Sequence, residues 1–153
     1  MIDSYFLKTV PKFNLDVSRE TIERLDEYSE EIILKNKEIN LISKSTESSI
    51  KSRHIADSMQ TIDFIDKNDI KTCTDLGSGA GLPGIVLGII MSSKRPKFKV
   101  IFYEKSYHKS NFLREMSKKF KLDAEIYQKN IFNEKNLITD VIISPVSYTH
   151  LRA

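Results

Sequence analysis

The strongest constraint on this chain is the run Asp75-Leu-Gly-Ser-Gly-Ala-Gly-Leu-Pro-Gly84, in which glycines alternate with small residues where an apolar run gives way to a helical one. Gly77, Gly79 and Gly81 reach backbone angles closed to other residues and let another molecule approach the main chain, and a helix N-terminus just after them offers free N–H groups. A ligand is therefore expected to lie across this turn. The flanking pattern agrees. Thr72 to Leu76 reads as the strand before the turn and Leu82 to Met91 as the helix after it. Beyond these come a strand at Val100 to Tyr103, a helix at Ser106 to Phe120, and short strands at Ala124 to Tyr127 and Asp140 to Ile143. Strands alternating with helices predict an α/β fold with a parallel sheet and right-handed crossovers.

Spacing separates the ligands such a turn could hold. A phosphate-cradling loop needs Lys and then Ser or Thr after its second glycine, but Gly84 is followed by Ile85 and Val86. The dinucleotide pattern G-x-G-x-x-G, begun at Gly77, meets Leu82 where glycine belongs, which weakens that reading without removing it. S-adenosylmethionine needs close backbone approach and a ribose partner but no pyrophosphate site. Glu104, at the end of the second strand, supplies an acid that can accept hydrogen bonds from both ribose hydroxyls. Asp75, Gly77, Ser78, Gly79, Gly81, Leu82 and Glu104 are accordingly the candidate cofactor residues.

Residues 1–66 read differently. Ile22, Leu25, Tyr28 and Ile32 recur at three- and four-residue steps, as do Ile55, Met59 and Ile62, predicting two amphipathic helices. Ser18 is the expected N-cap of the first and Ser48 or Ser49 of the second. A chain of 153 residues, 40% hydrophobic, can bury one ordinary core. The expected division is a helical cap at 1–66, an α/β domain at 67–144 and a separate tail at 145–153. Its formal charge of +3 permits nucleic acid as a partner without implying it. Cys73 stands alone in a strand, no apolar run reaches the roughly 18 residues of a membrane span, and Met1 to Val10 lacks the build of a secretion signal. A cytoplasmic monomer, without metal or membrane, is expected.

With these residues in view, the chain resembles the bacterial small-subunit ribosomal RNA guanine-N7 methyltransferases of the glucose-inhibited division protein B family. The likeness, from about residue 36 to 144, rests on Asn40-Leu41, Arg53-His-Ile-Ala-Asp-Ser58, the Leu-Pro-Gly ending of the glycine run, Lys109 and Phe112-Leu-Arg114. It implies a Rossmann-like S-adenosylmethionine-dependent methyltransferase fold under a helical cap, here with an incomplete sheet. The implied reaction is methylation of N7 of one guanine in 16S ribosomal RNA of the small subunit. By position it also implies cofactor contacts from Gly77 and Leu82, and an adenine-side pair at Ile131 and Phe132, where the family more often has an acidic second member. Guanine N7 carries an in-plane lone pair and no proton to lose, so no general base is needed, and positioning should carry most of the rate.

No catalytic residue is expected in the strict sense; Arg53, His54, Lys109 and Arg114 are the positioning candidates. Arg53, His54, Asp57 and Ser58 either dock their helix by hydrogen bonds or touch RNA. Lys105, Lys109 and Arg114, with Lys118, Lys119 and Lys121, either bind phosphates or form a solvated face, and the same choice applies to Lys94, Arg95, Lys97 and Lys99. After Ser144 the family continues with Arg-Ala and about sixty further residues that complete the sheet. This chain instead reads Pro145-Val-Ser-Tyr-Thr-His-Leu-Arg-Ala153, a tail expected to be non-native. A fragment without activity, or an RNA-binding remnant, is the alternative; a nicotinamide-dependent oxidoreductase is a more remote one.

Overall fold

The computed structural model describes residues 17–144; the expectations for residues 1–16 and for the tail at 145–153 lie outside them. Ser18 opens α1 (Arg19–Asn36), its Oγ accepting the Thr21 N–H at 3.2 Å, which satisfies a donor the helix itself leaves orphaned. The stripe Ile22, Leu25, Tyr28 and Ile32 is buried, as its spacing requires.

The second helical region is not the even amphipathic helix expected. It winds as a 3-10 stretch (Lys44–Ser49), a π-helical stretch (Ile50–Ile55) and two short helices, α2 (Ala56–Met59) and α3 (Thr61–Lys67). Wider π winding brings residues about five apart onto one face, and Ile50 and Ile55 are both buried. Neither candidate serine caps it: Ser48 lies inside the 3-10 stretch, and the Ser49 hydroxyl donates back to the Thr46 carbonyl at 3.3 Å.

From there the chain alternates as expected: β1 (Thr72–Leu76), α4 (Gly84–Lys94), β2 (Lys99–Tyr103), α5 (Tyr107–Lys119), β3 (Asp123–Tyr127), a 3-10 turn (Ile131–Asn133) and β4 (Val141–Ile143). The four strands are parallel in the order β3-β2-β1-β4, with Cys73 registered between Val100 and Val141. This is the Rossmann-like α/β arrangement. The order runs outward from β1 through β2 to β3 and then returns to the other side of β1 for β4. Open sheets of this kind bind ligands at that switch, outside the carboxyl ends of the strands.

One hydrophobic cluster joins the helical region to the α/β region, running from Ile22, Tyr28 and Ile62 to Ile85, Phe102 and Phe112. Several contacts fix α1 to the end of α5, among them ion pairs of Lys119 with Glu27 and Glu31. Arg24 donates to the Phe120 carbonyl, and the Tyr28 and Phe120 rings meet edge to face with centroids 6.3 Å apart. Cys73 is buried in this core, and burial pushes its thiol up to about 12, so it packs as a small apolar residue. No helix among the described residues is long and apolar enough to cross a membrane.

Candidate functional site

The glycine run leaves β1 at its carboxyl end and turns into α4 with Gly77, Gly79 and Gly81 at φ +68°, +54° and +88°. Those angles lie in the left-handed region, where a side chain is strained. The three glycines nonetheless serve different ends. A Cβ on Gly77 would meet nothing within 4 Å, so its free face is open; a Cβ on Gly81 would stand 2.3 Å from Ile85 Cγ1 and 3.0 Å from Leu113 Cδ2, so that glycine lets the loop press onto the helices. Gly84 does the same work beneath the turn, where a Cβ would come within 2.5 Å of Asp75 Oδ2.

Asp75 holds the turn from inside. Its Oδ2 accepts the Gly84 N–H at 2.9 Å and its Oδ1 has no partner. Burial, partly offset by that bond, raises its carboxyl to about 7. Ser78 donates to the Asp75 carbonyl at 3.0 Å, and from across the core the Tyr28 hydroxyl donates to the Ala80 carbonyl at 2.5 Å. Asp75, Ser78 and Gly81 are thus turned inward and shape the loop, while Leu82 packs half-buried against the core.

Glu104 sits at the end of β2, 8% exposed. Its Oε2 accepts the Gly79 N–H at 3.0 Å and its Oε1 the Ser106 N–H at 2.9 Å, tying the loop to the start of α5. A carboxylate offers about four acceptor positions, so two remain for donors arriving from the cleft in front of it. That cleft, of about 360 Å3, is lined by Gly77, Tyr103, Glu104, Lys105, Lys109, Lys129, Asn130, Ile131 and Phe132. Its size falls within the roughly 300–1,000 Å3 usual for small-molecule sites.

Six residues singled out from sequence, Gly77, Glu104, Lys105, Lys109, Ile131 and Phe132, are thereby brought together. Tyr103, Lys129 and Asn130 were missed, although each immediately adjoins the segment of a chosen residue. Tyr103 stacks on Tyr127 at 5.2 Å, and the Lys129 ammonium lies 5.7 and 5.2 Å from the two ring centroids. Glu134 completes this wall, pairing with Lys129 at 2.5 Å and accepting from the Tyr103 hydroxyl at 3.1 Å. The Lys129 ammonium draws the Glu134 carboxyl down to about 2, while burial pushes the Tyr103 hydroxyl up to about 12.

The other positioning candidates do not line this cleft. His54 bonds through Nε2 to the Thr46 hydroxyl at 3.0 Å, joining two parts of the helical region, and its burial lowers its tendency to protonate. Arg53 is exposed and makes no ion pair with Asp57. Arg114 donates to Asn111 Oδ1 at 2.9 Å.

Relatives share this chain's sequence across nearly all of the described residues. The family model for rRNA small subunit methyltransferase G matches residues 21–145, so the likeness extends into α1, earlier than the expected start. The ribosomal RNA small subunit methyltransferase G of Pelagibacter ubique is 42% identical over 133 residues, 86% of this chain and 62% of that protein. Its counterpart from Magnetococcus marinus is 42% identical over 114 residues, 74% of this chain and 49% of that protein. The chain thus spans about 62% of the length of the Pelagibacter relative. A solved structure, the plantazolicin methyltransferase BpumL in complex with SAH, is more distant at 16% identity and a TM-score of 0.42, covering 82% of this chain and 50% of that one. On the match of sequence over residues 21–145, the chain belongs to the rRNA small subunit methyltransferase G family.

Proposed function

We propose that this chain holds S-adenosylmethionine in the cleft before Glu104 and belongs to an enzyme that methylates N7 of a guanine in 16S ribosomal RNA of the small subunit. The observation that carries the reading is the pairing of an open Gly77 with a Glu104 carboxylate fixed by two backbone N–H groups and facing the same cleft. A carboxylate so held keeps its geometry while accepting two further donors, which suits a vicinal ribose diol. Ile131 would close the adenine side, with Phe132 beside it. Bound there, the cofactor supplies an electrophilic sulfonium methyl. The protein's part is to orient the guanine and exclude misaligned encounters, since the attacking nitrogen has no proton to remove. Residues 1–66 would serve as a helical cap on the methyltransferase domain at 67–144.

Calorimetric titration tests the cofactor half, with S-adenosylmethionine and NAD titrated separately into this chain and into Glu104→Gln. An amide cannot receive both backbone donors, so the substitution is expected to weaken S-adenosylmethionine binding by about 10- to 100-fold. Tighter binding of NAD, or equal affinity in the variant, overturns the assignment. Transfer of labelled methyl to small-subunit RNA, with strand scission at the labelled guanine after reduction, tests the reaction. Saturable binding without transfer would favour the reading as a cofactor-holding part of a longer protein. The β4 edge fits that reading, since among the described residues β4 pairs only with β1 and leaves Ile142 51% exposed.

A further inference from the structure

Two carboxylates stand in the walls of the cleft and are used differently. Glu104 accepts two backbone N–H groups and keeps two acceptor positions free. Glu134 has all four filled. Its Oε2 takes the Tyr103 hydroxyl at 3.1 Å and the Lys129 ammonium at 2.5 Å, and its Oε1 takes the Lys135 and Asn136 N–H groups at 3.2 and 3.4 Å. A carboxylate so saturated has nothing left to offer a ligand. What it holds is the segment 128–138, which leaves β3 at the carboxyl end of the sheet and carries Asn130, Ile131 and Phe132 of the cleft.

That segment has little else to fix it. Its one regular element is the turn Ile131–Asn133, bridged by the Asn133 and Glu134 N–H groups on the Asn130 and Ile131 carbonyls, with Asn130 Oδ1 accepting the Phe132 N–H. So short a turn does not hold itself in water. Ile131, Phe132 and Ile138 all lie outside the core cluster, the last two 91% and 88% exposed. Among the described residues, the Tyr103–Glu134 bond is the one hydrogen bond that residues 128–138 make outside themselves. The Lys129 ammonium, over the Tyr103 and Tyr127 rings, is held by the same carboxylate. The next anchors, Thr139 and Asp140, bond to Lys71 and Thr72 at the far, amino end of β1. Tyr103 also accepts the Gly77 N–H on its carbonyl at 2.9 Å, so one residue of β2 joins the glycine turn to this segment.

We propose that Glu134 is a positioning residue for the cofactor: it clasps residues 128–136 to Tyr103 and so sets Asn130 and Ile131 beside the adenine position before any ligand arrives. The inference rests on the S-adenosylmethionine reading and adds a residue that does not itself touch the cofactor. A site assembled beforehand avoids an ordering cost on binding, and affinity falls with the fraction of molecules in which the turn is formed.

Calorimetric titration of S-adenosylmethionine, run beside amide hydrogen exchange on the free protein, tests the clasp. The chain is compared with Glu134→Ala, with Tyr103→Phe, which removes only the hydroxyl oxygen of the same bond, and with the double variant. Glu134→Ala should bind about tenfold more weakly and Tyr103→Phe about threefold. The double variant should be no weaker than Glu134→Ala, because both changes break one bond. The Phe132 and Asn133 amides, neither bonded to the Glu134 side chain, should exchange faster in the free variants while those of β1 to β3 keep their protection, and saturating cofactor should restore them. Unchanged affinity in Glu134→Ala overturns the positioning role, as do losses that add in full in the double variant. Weaker binding with Phe132 and Asn133 as protected as in the parent overturns it too, by making Glu134 a direct contact. No binding by the parent overturns the cofactor reading itself, whereas binding by the parent and equally by Glu134→Ala sinks only the clasp.

Discussion

The two ends of the sheet carry similar side chains and treat them in opposite ways. At the amino ends of the strands each half-buried cation is matched: Arg95 bonds Asp66 at 2.9 Å and Asp69 at 3.2 Å, Lys94 reaches Asp66 at 3.5 Å, and Lys99 meets Glu125 at 2.8 Å. Arg95 also donates to the Ile70 and Asp66 carbonyls. At the carboxyl ends the acids Asp75 and Glu104 take backbone N–H groups and Lys129 pairs with Glu134, while the exposed Lys105 and the half-buried Lys109 are left without carboxylate partners among the described residues. Ion pairing at one end closes the surface. Backbone donors at the other fix the acids in place and leave charge available to something from outside. Sequence alone offers both basic clusters as RNA contacts; the pairing separates them.

The largest effect should come from Gly81, where the loop meets the helices. Gly81→Ala places a methyl group against Ile85 and Leu113 at a backbone angle of +88°. Overpacking and left-handed strain together should cost about 3 kcal/mol, read as a lowered denaturation midpoint. Gly77→Ala bears similar strain but no clash, so it should cost about 1 kcal/mol of stability and show itself more in ligand affinity. Equal losses in the two would erase the distinction between a glycine that packs and one that faces a ligand.

The buried acid gives a pH signature. In the folded chain the Asp75 carboxyl is raised to about 7 from its ordinary value of 3.8, so between those values the folded state binds the proton that the unfolded state has released. Stability contributed by this group is therefore greatest at the acid side of that window and declines as pH rises toward 7, then levels off. Asp75→Asn should flatten that part of the stability profile in urea titrations run across the window. A variant whose slope matches the parent would mean Asp75 is ionised throughout.

At the other end the expected change is smallest. Arg95→Ala should lower stability by about 1 kcal/mol, because partly exposed ion pairs contribute little, and should leave cofactor and RNA affinity where they were. A drop in RNA binding there would break the comparison by showing that the paired end also meets the substrate.

Much of this organisation was legible in sequence because it is local. The β1 to β4 boundaries follow short apolar runs, closed by Gly77 after β1, Glu104 after β2 and Ser144 after β4, and the glycine loop identifies itself by position between strand and helix. Glu104 was reachable because it ends the strand after the loop. The second helical region was not, since Ile55, Met59 and Ile62 fit an ordinary helical period just as well as the mixed winding in which Ile50 and Ile55 are both buried. Long-range polar bonds were also hidden. The Tyr28 ring announces a buried stripe, but nothing in the pattern says that its hydroxyl finds a carbonyl 52 residues away. Likewise Tyr103 reads as a strand residue until Tyr127 and Lys129 fold against it.

That tyrosine bond has a mechanical side. A hydroxyl halfway along α1 gripping the Ala80 carbonyl means that the outer helix and the glycine turn cannot loosen independently. Coupling of this kind is reciprocal: whatever steadies the turn must make the helix's open excursions rarer by the same factor, and whatever pries the helix away must destabilise the turn. Amide exchange along Arg19–Asn36 would then report occupancy of a cleft the helix never touches.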